Sequence, residues 1–359
     1  MRAGRIVFVV LLVVLAGCSG RFADLAAHNQ IQSGRFASKV AVTFFGSSTL
    51  LIDDGETQVF IDGFVTRSKH RYLRKIAPSE QQILDVLTKH EICPNPQNRK
   101  IASRPAYCSG QPGRGLSIVI PVHAHYDHAL DSSYIAAWTG ARLVADPSIE
   151  ATVKATQQHP WEASLDWGAV KFVPPFSGDD ANVSIPIPAG KFRITLLRSR
   201  HLENPLSSLA SKVTSDKLEL PAHLWEFGEG TNLSVRIEHQ GRSMLIVPSS
   251  GPFVQEPAPG SLKSDVVFMG VGGLGWKPVG KRKAYWHSLL QATDAKRVIP
   301  IHWDSDQVEF DSSDPNFPLA SPRRFDATLD VFEELAGPKN IEIIFAPPLK
   351  RFDPFWGLK

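Results

Sequence analysis

The chain has 359 residues, 43% hydrophobic and 21% charged, the proportions of an ordinary globular protein. Its formal net charge of +3 includes two arginines in the first 17 residues; without that segment 37 basic side chains face 36 acidic ones. A near-neutral body argues against a nucleic-acid protein held by a global basic field, and no nucleic-acid partner is expected.

Arg2 and Arg5 precede a short apolar stretch, Ile6 to Leu15, too brief to span a bilayer comfortably. It ends in Leu15-Ala16-Gly17-Cys18, which resembles the lipobox of bacterial lipoproteins. That resemblance implies a signal peptide over residues 1–17, cleavage before Cys18, and a lipid-bearing Cys18 at the new N-terminus. With Ser19 rather than aspartate next to it, it implies delivery to the outer membrane, facing the periplasm. The alternative is an ordinary cleaved secretory signal in which Cys18 is incidental. Residues 18–38 are polar with scattered alanines and read as a tether, which fully extended would reach about 65 Å.

Strand patterns begin at Lys39–Phe45, followed by Leu50-Leu51-Ile52, the Asp53-Asp54-Gly55 turn and Gln58–Ile61, an antiparallel start. From about residue 67 to 115 the pattern loosens into an insertion. Ser79-Glu80-Gln81-Gln82 has capping-box form there and predicts a helix over Ser79–His90. Cys93 and Cys108 flank a stretch rich in turn formers, which a disulfide would close with roughly 3 kcal/mol of chain-entropy stabilisation. Two free thiols, or a metal role, are the alternatives.

Ser117–Val122 is a buried strand in pattern, and Ser132–Thr139 a helix, with Arg142–Ala145 a short strand after it. A second antiparallel group follows: Phe192–Leu197, Leu233–Glu238, the His239-Gln240-Gly241 turn and Ser243–Val247. Val266–Met269 and Val298–Ile301 are further apolar strands around a helix at Lys283–Gln291. The chain closes with a helix at about Asp326–Ala336, stopped by Gly337-Pro338, and a strand at Ile341–Phe345. Residues 39–350 thus make one domain of two similar halves, two sheets between helical layers, with 351–359 a C-terminal tail.

Directly after the Ser117–Val122 strand stands His123-Ala124-His125-Tyr126-Asp127-His128. Three of the chain's 12 histidines within six positions have a chemical reason. Neutral imidazole and carboxylate are the natural ligands of zinc-like ions.

His-x-His-x-Asp-His after a strand resembles the defining motif of the metallo-β-lactamase superfamily. Phe44–Ile52 with Phe60-Ile61-Asp62 looks like that family's opening hairpin, and His201 stands where it places its third metal histidine. Val298-Ile299-Pro300-Ile301-His302 looks like its closing strand and final ligand. The resemblance implies an α/β fold, the four-layer αββα sandwich, with His123, His125 and His201 as one ligand set and Asp127, His128 and His302 as a second. It is strongest with the lactonase-like and phospholipase-D-like branches.

A metal with an open position makes hydroxide available from water at neutral pH, and Asp127 nearby can orient it and accept a proton. The family's bridging aspartate is missing: after Met244–Val247 the chain continues Pro248-Ser249-Ser250-Gly251, with neutral Ser249 the nearest match. One firmly bound zinc is therefore expected, with the second site weak, empty or differently occupied.

Arg67-Ser68-Lys69-His70-Arg71, with Arg74 and Lys75, either attracts an anionic headgroup or phosphate or is a solvated helix face. Asp62 either ties down the metal loop by hydrogen bonds or caps a turn. His159 and His239 read as surface groups, and His223 as a residue that could line the cleft. The functional expectation is a metal-dependent hydrolase at the cell envelope, acting on an ester, lactone, amide or phosphodiester, small or phospholipid-like. The alternative is an envelope lipoprotein that keeps the fold and binds metal or ligand without turnover.

Overall fold

Side chains alternating with period two decide the layers of this protein. In β1 (Ala41–Phe44), β2 (Leu50–Asp53), β3 (Thr57–Ile61) and β4 (Gly115–Ile120), one set of residues enters a large central cluster: Val42, Phe44, Leu50, Ile52, Val59, Ile61, Ile118 and Ile120. Leu51, Phe60, Leu116 and Val119 point the other way, under helix α1 (Glu80–Lys89) and helix α3 (Ser132–Thr139). Sheet between sheet and helices is the result. The computed structural model describes residues 30–358 except 32, 35–37, 70–72, 96–104, 109–114, 162–164, 166, 177–182, 185, 203–214, 307, 309–310 and 312–316. The signal segment and Cys18 lie outside the described residues. Among those described, no helix is long and apolar enough to cross a membrane.

Two seven-stranded mixed sheets face each other across the central cluster. The first runs β14 (Arg351–Phe352), β1, β2, β3, β4, β5 (Arg142–Val144), β6 (Phe172–Val173). The second runs β13 (Glu342–Ile343), β12 (Arg297–Ile301), β11 (Val266–Gly270), β10 (Arg242–Val247), β9 (Asn232–His239), β8 (Phe192–Ser199), β7 (Ile187–Ala189). Each sheet starts antiparallel and turns parallel, at the β3–β4 and the β10–β11 pairings. The expected two similar halves are thus present. On the second sheet lie helix α5 (Val279–Thr293) and helix α6 (Pro322–Ala336), which pack Trp286 on Phe332 with ring centroids 4.8 Å apart. The architecture is the expected αββα sandwich.

Ser79 caps α1 as the sequence predicts, its hydroxyl accepting from the Gln82 amide at 3.4 Å. Ile83, Val86 and Leu87 are fully or almost fully buried, so α1 belongs to the core although it lies within the predicted insertion. Cys93 and Cys108 are joined in a disulfide, Cα–Cα 5.7 Å. Helix α4 (Glu150–Gln158) escapes the sequence reading because it buries only small residues, Ala151, Thr152, Ala155 and Thr156, and shows no apolar stripe. The segment expected to be a C-terminal tail instead supplies β14, which pairs Val42 with Phe352. Asp353 next to it binds Ser38, accepting from its amide (2.6 Å) and hydroxyl (2.8 Å). Even Ile31, in the expected tether, is 3% exposed and donates its amide to Phe345.

His239, expected at the surface, is buried with its ring 4.6 Å from Phe192 and Nε2 2.9 Å from an Asp54 carboxylate oxygen. The turns β2–β3 and β9–β10, one from each sheet, meet there. His90, at the end of α1, lies edge-on to Phe45, and its Nε2 is buried without a hydrogen-bond partner. Burial, helped by the charges of Lys89 and Arg351, pushes its pKa down to about 4. Below the unfolded value of 6.5 the unfolded chain takes a proton that the folded one refuses. This group therefore removes stability as pH falls from 6.5 to about 4. His90→Met should narrow the difference between urea-denaturation midpoints at pH 7 and pH 4.5; an unchanged difference would contradict it.

Candidate metal centre

Strand direction gathers the ligands. β3 and β4 run parallel, and β8, β10 and β12 share one direction because two antiparallel pairings separate β8 from β10. Their carboxyl ends carry Asp62, the His123–His128 motif, His201, Ser249 and His302. All six predicted ligands meet at this rim of the sandwich. Ligand atoms of His123, His125 and His201 lie within 4.8 Å of one another, and so do those of Asp127, His128 and His302.

His123 Nε2 and His125 Nδ1 are 3.0 Å apart, and the His201 ring centroid lies 5.2 Å and 4.8 Å from theirs. His201 donates Nδ1–H to the Leu202 carbonyl at 3.1 Å, which leaves Nε2 as its lone-pair nitrogen. In the second set, the Asp127 Oδ2 is 3.6 Å from His128 Nε2 and 3.3 Å from His302 Nε2. His123 and His128 are buried, whereas Asp127 and His302 keep 13% and 23% of their side chains exposed, so the cluster opens to solvent on that side.

Electrostatics match metal ligation. Burial, then the neighbouring imidazoles of His128, His125, His201 and His302, hold His123 well below the usual imidazole range. Burial, against the opposing Asp127 charge, lowers His125, and burial with His125 and His128 pushes His201 down to about 4. Three imidazoles are thus neutral donors at pH 7. Burial alone would raise Asp127, but His128, His302 and His125 together hold its carboxyl well below the carboxylate range. His128 goes the other way: burial lowers it, yet Asp62 and Asp127 raise it overall. A donor set of imidazoles and one carboxylate, with free lone pairs converging, fits a zinc-like dication.

Asp62 holds the loop, as one of its two sequence readings has it. Its Oδ2 accepts from His128 Nδ1 at 2.9 Å and from Ser48 at 2.5 Å, and its Oδ1 from the Val122 amide at 2.9 Å. His128 Nε2 is thereby left facing Asp127. Asp62 sits at φ +60°, a left-handed conformation uncommon for residues with a Cβ, and its three side-chain bonds hold it there. Ser48 has no counterpart in the sequence reading; a serine beside Thr49 in a hairpin carries no signal of its own. The bond from Tyr126 to the Asp306 carboxylate, 2.8 Å, was equally invisible.

Ser249 and Ser250 occupy the end of β10, and neither supplies an anionic oxygen. The Ser250 hydroxyl is spent on the carbonyls of Gly270 (2.9 Å) and Gly272 (3.0 Å). Ser249→Asp is expected to raise the metal stoichiometry of dialysed protein, measured by elemental analysis; no change would count against the position of Ser249. The basic run corrects differently. Arg67 is 2% exposed and ion-paired with Asp304, so it offers nothing to an anion in solution, while Arg74 and Lys75 are exposed. His70 and Arg71 lie outside the described residues.

No family model matches the sequence, and no curated protein matches it either. Solved structures do. A metallo hydrolase from the archaeon Ignicoccus hospitalis is 15% identical with a TM-score of 0.46, over 88% of this chain and 98% of that one. The metallo-beta-lactamase fold protein YhfI from Bacillus subtilis is 13% identical with a TM-score of 0.44, over 88% and 99%. Zn(2+)-bound PqqB from Methylobacterium extorquens is 14% identical with a TM-score of 0.42, over 86% and 87%. At these identities and TM-scores the chemistry of this chain rests on its own residues.

Proposed function

We propose that this chain is a metal-dependent hydrolase at the cell envelope, cleaving an ester, lactone, amide or phosphodiester, with phospholipid-like molecules among its candidate substrates. The observation that carries the proposal is the convergence of two three-residue ligand sets at one solvent-open rim. A bound dication supplies Lewis acidity and lowers the pKa of a bound water toward 7. His123, His125 and His201 would hold it as neutral imidazole donors. Asp127, ionised among its imidazole neighbours, would orient the attacking water and accept its proton as the bond to it breaks. His128 and His302 flank that carboxylate and hold it in place.

A panel of chromogenic esters, lactones and phosphodiesters tests this reading. Turnover that a chelator removes and zinc restores supports it. Metal uptake without turnover on any of them favours the non-catalytic alternative, for which the neutral Ser249-Ser250 pair speaks. The envelope location rests on the lipobox-like Leu15-Ala16-Gly17-Cys18. In a bacterial host, Cys18→Ser should move the protein from the membrane fraction to the soluble one; unchanged fractionation would refute lipid anchoring through Cys18.

A further inference from the structure

Arg67 and Asp304 stand 237 positions apart in the chain yet pair at 2.7 Å, their side chains 2% and 0% exposed. Burying two opposite charges is costly, and removing one of them costs more. What the pair touches gives a reason for it. The other carboxylate oxygen of Asp304 accepts from the Ser47 amide at 2.8 Å, and the guanidinium donates to the carbonyls of Ser305 (3.2 Å) and Phe45 (3.4 Å). A Cβ on Gly46 would collide with both charged groups.

The Ser47 carbonyl in turn accepts from the His302 amide at 2.6 Å. Ser47 at φ +47° and His302 at φ +60° are both left-handed, a region uncommon for residues with a Cβ. Arg67 is itself held from behind. Its amide donates to Gln82 at 3.0 Å, and the preceding amides of Val65 and Thr66 donate to Asp131 at 2.8 Å and 2.7 Å.

His302 is the one member of the second ligand set contributed by the second sheet; Asp127 and His128 belong to helix α2 (Tyr126–Ala129). Its imidazole is closed in from below by Gly272, where a Cβ would stand 2.7 Å from Nδ1. A relaxed backbone at His302 would swing the ring out of this slot and away from Asp127. We propose that Arg67 is a positioning residue: paired with Asp304, it fixes the left-handed turn at Ser47 and His302 and so sets the aim of the His302 imidazole at Asp127. The part concerning ligands rests on the metal-centre reading; the clamp itself does not.

Amide hydrogen exchange on the chelator-treated full chain tests the clamp. Arg67→Met is compared with the double variant Arg67→Met/Asp304→Leu, which leaves no unpaired buried charge and removes the whole clamp. In the double variant the Ser47 and His302 amides should exchange at least tenfold faster. The Asp62 and Val122 amides, bonded to Ile120 and Asp62 on the other side of the site, should keep their rates. Unchanged exchange at Ser47 and His302 overturns the proposal. So does equal acceleration at all four amides, which would mean general loosening. Should the single variant fail to fold, the double one decides.

Zinc titration of the same proteins separates the clamp from the ligand reading. Uptake by His123, His125 and His201 should stay at the wild-type affinity in the double variant. A wild-type chain that takes up no zinc defeats the ligand reading, while the exchange rates still judge the clamp.

Discussion

Replacing His123 or His201 with alanine is expected to strip the protein of bound metal and to lower its hydrolytic rate by at least about a thousandfold, equivalent to about 4 kcal/mol of transition-state stabilisation. His123 is 1% exposed and His201 is partly buried, and each change removes one of the three imidazole donors. Two remaining imidazoles make a weak site for an ion that prefers four donors. Elemental analysis after dialysis, paired with turnover on the best substrate of the panel, checks both halves of the expectation. Thermal melting of the metal-free variants serves as the fold control. Activity retained in either variant would refute the mechanism.

The second large effect falls on a residue that holds no metal. Asp62→Ala should cost about 3 kcal/mol of folding stability, the scale for breaking a buried, hydrogen-bonded charge pair. It should also weaken metal binding by the Asp127, His128 and His302 set about 10- to 100-fold, the scale for losing the hydrogen bond that orients a ligand. Three groups lose a partner at once: the His128 imidazole, the Ser48 hydroxyl and the Val122 amide. Asp62→Asn keeps an acceptor for Val122 and should fall between wild type and alanine. Urea denaturation and chelator competition measure the two effects, and wild-type values in both would remove Asp62 from the account of the site.

Most strands were legible because they are long enough to alternate, as Leu50–Ile52 against Val59–Ile61 shows. The ligands were legible because a metal demands particular residue types, and the spacing His123, His125, Asp127, His128 survives in a single sequence. The unread elements are short or small: β6 and β14 have two residues each, and α4 buries alanines and threonines. Arg67 misled for a different reason. Its neighbours Lys69, Arg71, Arg74 and Lys75 make a basic run in sequence, but its partner Asp304 is 237 positions away, and no local pattern announces a pairing across that distance. The same holds for His239 and Asp54, whose encounter depends on two turns from opposite sheets.

The pairing of β1 with β14 has a bearing on biogenesis. The first strand of the domain finds its outer neighbour only at Arg351–Phe352, and Ser38 finds Asp353 315 positions later. A chain made N-terminus first therefore carries an unpaired strand border until Arg351–Phe352 has emerged, the kind of border that recruits other strands. Emergence of Arg351–Phe352, rather than any earlier step, is when this sandwich can close its own seam.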